Sequence, residues 1–160
     1  MKKFFTILLG LAILASVSHA YVFGVDVGGI GGGALPYMGF QLNTEQRVDV
    51  GLGYNDFSGG NNALVLMGRF ENRIASENKL NLSWAGQLGI GSSSTGGTST
   101  TTINILGLVS AELKITDAVA LYGNIYLLNL TSTSVGGSST TTFGILNGDL
   151  TAYSGFRIYI

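Results

Sequence analysis

From residue 21 onward, apolar and polar positions alternate with a period of two. In residues 46–55, Val48, Val50, Leu52 and Tyr54 alternate with Arg47, Asp49, Gly51, Gly53 and Asn55. In residues 80–91, Leu80, Leu82, Trp84, Leu88 and Ile90 fall on one face, and Asn81, Ser83, Ala85, Gln87 and Gly89 on the other. Successive strand side chains point to opposite faces, so such segments are two-faced strands. The pattern predicts eight: 21–29, 34–43, 46–56, 62–71, 79–91, 102–115, 118–131 and 141–160. Most exceed the roughly five or six residues usual in soluble sheets and match the roughly 9–11 tilted residues that cross a bilayer. The last stretch is too long for one regular strand. Asn147-Gly148 has the chemistry of a tight hairpin, which would make nine strands. An even count favours a bulge at residues 147–149 instead.

The connections alternate as well. Those after the first, third, fifth and seventh strands (28–33, 58–62, 91–101 and 131–141) are rich in glycine, serine, threonine or asparagine, with Asp56 the only charge at their edges. Those after the second, fourth and sixth carry Glu45, then Glu71, Arg73, Glu77 and Lys79, then Lys114 and Asp117. In an antiparallel meander, alternate connections lie at opposite ends. One end is therefore uncharged and the other charged. Residues 92–102 (Ser-Ser-Ser-Thr-Gly-Gly-Thr-Ser-Thr-Thr-Thr) also resemble 132–142 (Ser-Thr-Ser-Val-Gly-Gly-Ser-Ser-Thr-Thr-Thr), as a duplicated hairpin would. Their small polar residues predict mobile loops tolerant of insertion.

Composition sharpens the picture. Charged residues are 11 % of the chain, against about 25 % in ordinary soluble domains, and mean hydropathy is +0.39. Yet no apolar run after residue 20 approaches the roughly 20 residues of a membrane helix. A closed barrel is the other structure a bilayer permits, because closure pairs every backbone N–H and C=O. At the start, Lys2 and Lys3, the mostly apolar run 4–15 and Ser18-His19-Ala20 form the three-part pattern of a secretory signal peptide. The expected domains are a signal peptide at 1–20 and a single barrel at 21–160.

The candidate chemistry is sparse. The one histidine, His19, leaves with the leader, and there is no cysteine. Hydrolases and acyltransferases usually rely on a histidine base, so the chain reads as no enzyme, with no catalytic residue, cofactor or metal. All nine acidic residues lie beyond the leader, which holds two of the eight basic ones. This leaves no basic surface for nucleic acid. Read inward, the polar faces place Asp26, Arg47, Asp49, Arg69, Glu71, Glu112, Lys114 and Arg157 in the lumen as a polar network, with Asp149, Tyr122 and Asn124 beside them. The charges nearly balance, so pairing is expected. Such a set serves either as a salt-bridged plug or as a proton path or binding site. Eight strands leave an interior just wide enough for side chains, which favours the plug. Inward Gly24, Gly28, Gly39, Gly51, Gly53, Gly89 and Gly155 make room for arginines and tyrosines. Val65, Met67, Leu106, Leu108 and Leu128 read as inward apolar residues.

The last residues, Tyr153-Ser154-Gly155-Phe156-Arg157-Ile158-Tyr159-Ile160, resemble the C-terminal strand by which outer-membrane barrels are recognised for assembly. They end in Ile160 where an aromatic is usual. With eight strands, the chain resembles the small outer-membrane barrels of the OmpA/OmpX type. The resemblance implies an all-β, antiparallel eight-stranded up-and-down transmembrane β-barrel in a bacterial outer membrane, with both termini in the periplasm. Its implied partners are the lipid bilayer of that membrane and the outer-membrane assembly machinery; an extracellular partner is unspecified. The expected role is structural or surface interaction through the Gly/Ser/Thr loops. The alternative is a soluble, secreted β-barrel or β-sandwich binder, lipocalin-like in kind.

Overall fold

The computed structural model describes residues 20–27, 34–57, 61–145 and 152–160. The leader at 1–19, the connection at 28–33 with Gly28, residues 58–60, and the expected bulge at 147–149 with Asp149 lie outside them. The strands are β1 (Ala20–Val27), β2 (Ala34–Gln41), β3 (Gln46–Phe57), β4 (Asn61–Glu77), β5 (Leu80–Thr95), β6 (Thr98–Lys114), β7 (Val119–Val135), β8 (Ser138–Ile145) and β9 (Ala152–Tyr159). Each is antiparallel to its neighbours. The sheet closes because β9 returns to pair with β1, Phe23 opposite Ile158. β8 and β9 share one place in the ring. β8 pairs with the far half of β7, Val135 opposite Ser138, and β9 with its near half, Val119 opposite Ile158. The protein is thus an all-β, eight-stranded, antiparallel up-and-down barrel.

Among the described residues, two bulges, on β7 and β4, change the side-chain phase. On β7, Gly107 faces Leu128 and Leu108 faces Tyr126, so Leu127 is the extra residue. An extra residue exchanges the faces of everything beyond it. Leu128, expected in the lumen, therefore points outward and is 46 % exposed. Asn129 instead pairs with inward Leu106. On β4 the slip falls between Arg73 and Ala75. The expected charged loop at 71–79 is thereby mostly strand, closed by Asn78 and Lys79 alone. Asn78 takes φ 52°, a conformation asparagine tolerates.

The Gly/Ser/Thr segments are also strands rather than loops. β5 pairs with β6 out to Thr95–Thr98, and β7 with β8 out to Val135–Ser138. Each hairpin turns on two glycines at positive φ: Gly96 and Gly97 at 57° and 82°, Gly136 and Gly137 at 55° and 89°. Two consecutive positive φ values suit the twist of a two-residue hairpin, and glycine adopts them without a Cβ clash. Threonine's β-branch favours the extended backbone between them.

Ala20, Ile160 and the turns at 42–45, 78–79 and 115–118 share one rim; Gly96-Gly97 and Gly136-Gly137 share the other. At the first rim, Tyr21 and Ile160 exchange backbone hydrogen bonds of 3.3 and 2.9 Å.

Candidate functional site

The polarity of the barrel is inverted relative to a water-soluble core. Every described strand carries exposed apolar side chains on its outward face, among them Phe23, Met38, Leu52, Leu66, Trp84, Ile105, Leu121 and Phe156. Phe143 reaches 62 % exposure. Phe40 shares the outward phase but is only 2 % exposed, with the Tyr21 ring edge-on at 6.1 Å. Inward positions hold the charges. Asp26, Arg47, Asp49, Arg69, Glu71, Glu112 and Arg157 are all buried.

Three arginines organise this lumen. Arg157, 0 % exposed, reaches Glu112 at 2.5 Å and Glu71 at 2.7 Å, and its Nε donates to the Tyr37 hydroxyl at 2.9 Å. Arg47 meets Glu71 at 2.5 Å and Asp49 at 2.9 Å. Arg69 donates to Asp49 from Nε and Nη2 at 2.9 and 2.7 Å. Its Nη1 lies 3.2 Å from Asp26 and donates to the Tyr153 hydroxyl at 2.9 Å. Asp49, between Arg47 and Arg69, joins the two ends of the network. Lys114 stands at its edge, its Nζ 5.3 Å from the centre of the Tyr159 ring.

Tyrosines complete the site. Tyr122 donates to Asp26, and its ring lies under Arg157 with the guanidinium 4.0 Å from the ring centre. Arg69 stacks over Tyr37 at 4.9 Å. Tyr159 donates to Glu112 at 2.6 Å, and Tyr153 to Gln87 at 2.9 Å. Tyr37, Tyr153 and Tyr159 were absent from the sequence expectation. The signal was present: Tyr37 shares the phase of Gly39, and Tyr153 and Tyr159 share that of Arg157.

Inward glycines create the space for these groups. A Cβ at Gly24 would collide with the Tyr37 ring, and one at Gly155 with Tyr122 and the Val25 carbonyl. At Gly39 it would lie 2.5 Å from Asp49 Oδ1. Toward the far rim the lumen turns apolar, with Leu35, Val65, Met67, Leu106 and Leu108 all buried. Above that layer is an open hollow of about 180 Å³, lined by Val65, Ser93, Thr100, Thr102 and Asn104 among others.

Chemically, this arrangement holds charge in place. Among the described residues, each of the four buried carboxylates, Asp26, Asp49, Glu71 and Glu112, is bound to at least one guanidinium. Charge-assisted hydrogen bonds of this kind are strong and directional. Among the described residues, no group of three or more His, Cys, Asp or Glu side chains is arranged to hold a metal ion. No protein-family model matches this chain, and neither a curated protein nor a solved structure does.

Proposed function

We propose that the protein is a non-enzymatic barrel of a bacterial outer membrane, exported through a cleaved leader, with a structural or surface-interaction role. The observation that carries this reading is the inverted polarity: ion pairs inside, exposed apolar side chains on the outward faces of the described strands. Burying one large apolar side chain is worth about 1.5–3 kcal/mol, and soluble monomers rarely expose apolar patches beyond a few hundred Å². A belt of such residues around the whole ring calls for an apolar surrounding.

The height of the belt fits a bilayer. On β5 the outward residues are apolar or glycine from Leu80 to Ile90, and on β6 from Leu113 to Ile103. Each stretch is eleven residues, against the roughly 9–11 that a tilted strand needs. Beyond it the outward face turns to Ser92, Ser94, Ser99 and Thr101, which suit water or headgroups. In this orientation the Gly-Gly hairpins stand outside the cell, and the charged turns and both termini face the periplasm. The closing strand β9, with outward Phe156 and Ile158, is the segment offered to the assembly machinery.

Fractionation tests the reading. The expected protein stays with the outer membrane through salt and alkaline washes, needs detergent for extraction, and migrates faster on a gel before heating than after. Recovery in the soluble fraction without detergent would overturn it in favour of a secreted binding barrel.

A further inference from the structure

Three successive inward rows cross β5, β6 and β7. The first is Asn81, Glu112 and Tyr122; the second is Ser83, Ser110 and Asn124; the third is Ala85, Leu108 and Tyr126. The first belongs to the ion-pair network, and Asn81 Nδ2 donates to Glu112 at 2.9 Å. The third packs into the apolar cluster of the lumen. The middle row is polar, buried and incompletely bonded. Ser110 is 1 % exposed and Asn124 0 %. Ser110 Oγ and both Asn124 side-chain atoms, Oδ1 and Nδ2, have no hydrogen-bond partner among the described residues.

We propose that this row is a binding site for internal water. Buried polar groups without partners oppose folding, and ordered water is the usual remedy. A buried water needs two to four polar partners. Ser110 and Asn124 occupy directly paired positions, where Cβ atoms lie about 4.5–5.5 Å apart. Between them they offer a hydroxyl, a carbonyl and an amide to one guest.

A small cavity lies on the rim side of the row. It measures about 10 Å³ and is lined by Ser83, Asn81, Arg47, Glu71 and Glu112, among others. That is the scale at which a single water fits, about 10–15 Å³. Ser83 belongs to both this cavity and the row, and its direct strand partner is Ser110. The site depends on the barrel alone, not on what surrounds it.

Magnetic resonance on the intact detergent-solubilised barrel provides the test. Cross-relaxation of the Asn124 side-chain amide protons with water should carry the sign of a long-lived, bound molecule. Water-oxygen relaxation dispersion should count at least one fewer long-lived water in a Ser110→Ala, Asn124→Leu double variant. Absence of the cross-peak in the native protein would overturn the proposal, as would an unchanged count in the variant. Should the variant fail to fold, the native cross-peak decides alone.

Discussion

The two ends of the barrel are built on different physics. Near the terminal rim, structure is held by long-range polar contacts. Arg157 on β9 binds Glu71 on β4, Glu112 on β6 and Tyr37 on β2, so four strands answer to one guanidinium. At the far rim, the β5–β6 and β7–β8 hairpins are held by ladder hydrogen bonds, two-glycine turns and local hydroxyl contacts such as Ser134–Ser139 at 2.6 Å. A change in the first region is felt across the ring. A change in the second is felt mainly by its own hairpin. Burial causes the difference: inside, a lost partner leaves a charge with nowhere to go, whereas at the crown water replaces it.

The largest expected effect follows from removing one partner in the lumen. Glu112 accepts from Arg157, Tyr159 and Asn81. Glu112→Ala takes this acceptor from all three and leaves Arg157 with Glu71 and Tyr37, and breaking a buried pair costs roughly 3–5 kcal/mol. Ser94→Ala at the crown changes an outward-phase hydroxyl and is expected to stay within about 0.5 kcal/mol. Denaturant unfolding of the two variants in one detergent measures the gap. Equal midpoints would show that the network is not what holds the near end.

Next comes a contrast between glycines. At Gly155 an added Cβ would strike Tyr122 and the Val25 carbonyl, whereas at outward Gly68 nothing lies within 4 Å. Backbone cannot swing aside as a side chain can. Gly155→Ala should therefore cost about 1–3 kcal/mol, the usual range for overpacking, and should weaken the β1–β9 seam. Gly68→Ala should be neutral or slightly stabilising. Thermal midpoints that fall equally would remove the claim that inward glycines are there to admit the tyrosines.

The same contrast explains what could be read from the chain. Near the terminal rim, charge alternates with apolar residues, so the phase of Arg47, Asp49, Arg69 and Glu71 is visible without coordinates. Partners are not: the sequence places Arg157 inward but cannot say that it meets Glu71 rather than Asp26. On β7 the extra residue is Leu127, next to the identical Leu128, so no break in polarity marks the phase slip. At the crown, serine and threonine occupy both faces, the alternation disappears, and strand resembles loop. The duplicated Gly-Gly pair was visible, yet its meaning as a tight turn depended on flanking residues that carry no pattern of their own.

The smallest expected effect on global stability bears most directly on whether the two regions are uncoupled. Gly97 sits at φ 82°, where a side chain costs about 1–2 kcal/mol. Nothing lies within 4 Å of its missing Cβ, so Gly97→Val adds backbone strain without a steric collision. That strain should be relieved by local opening of the β5–β6 hairpin, because no lumen contact must break for the tip to fray. Amide exchange in the folded barrel should accelerate roughly tenfold at Thr95 and Thr98–Thr100, which corresponds to about 1.4 kcal/mol. Exchange at Arg69, Ser110 and Glu112 should stay unchanged. Equal acceleration at both ends would mean that the crown and the ion-paired lumen unfold as one unit.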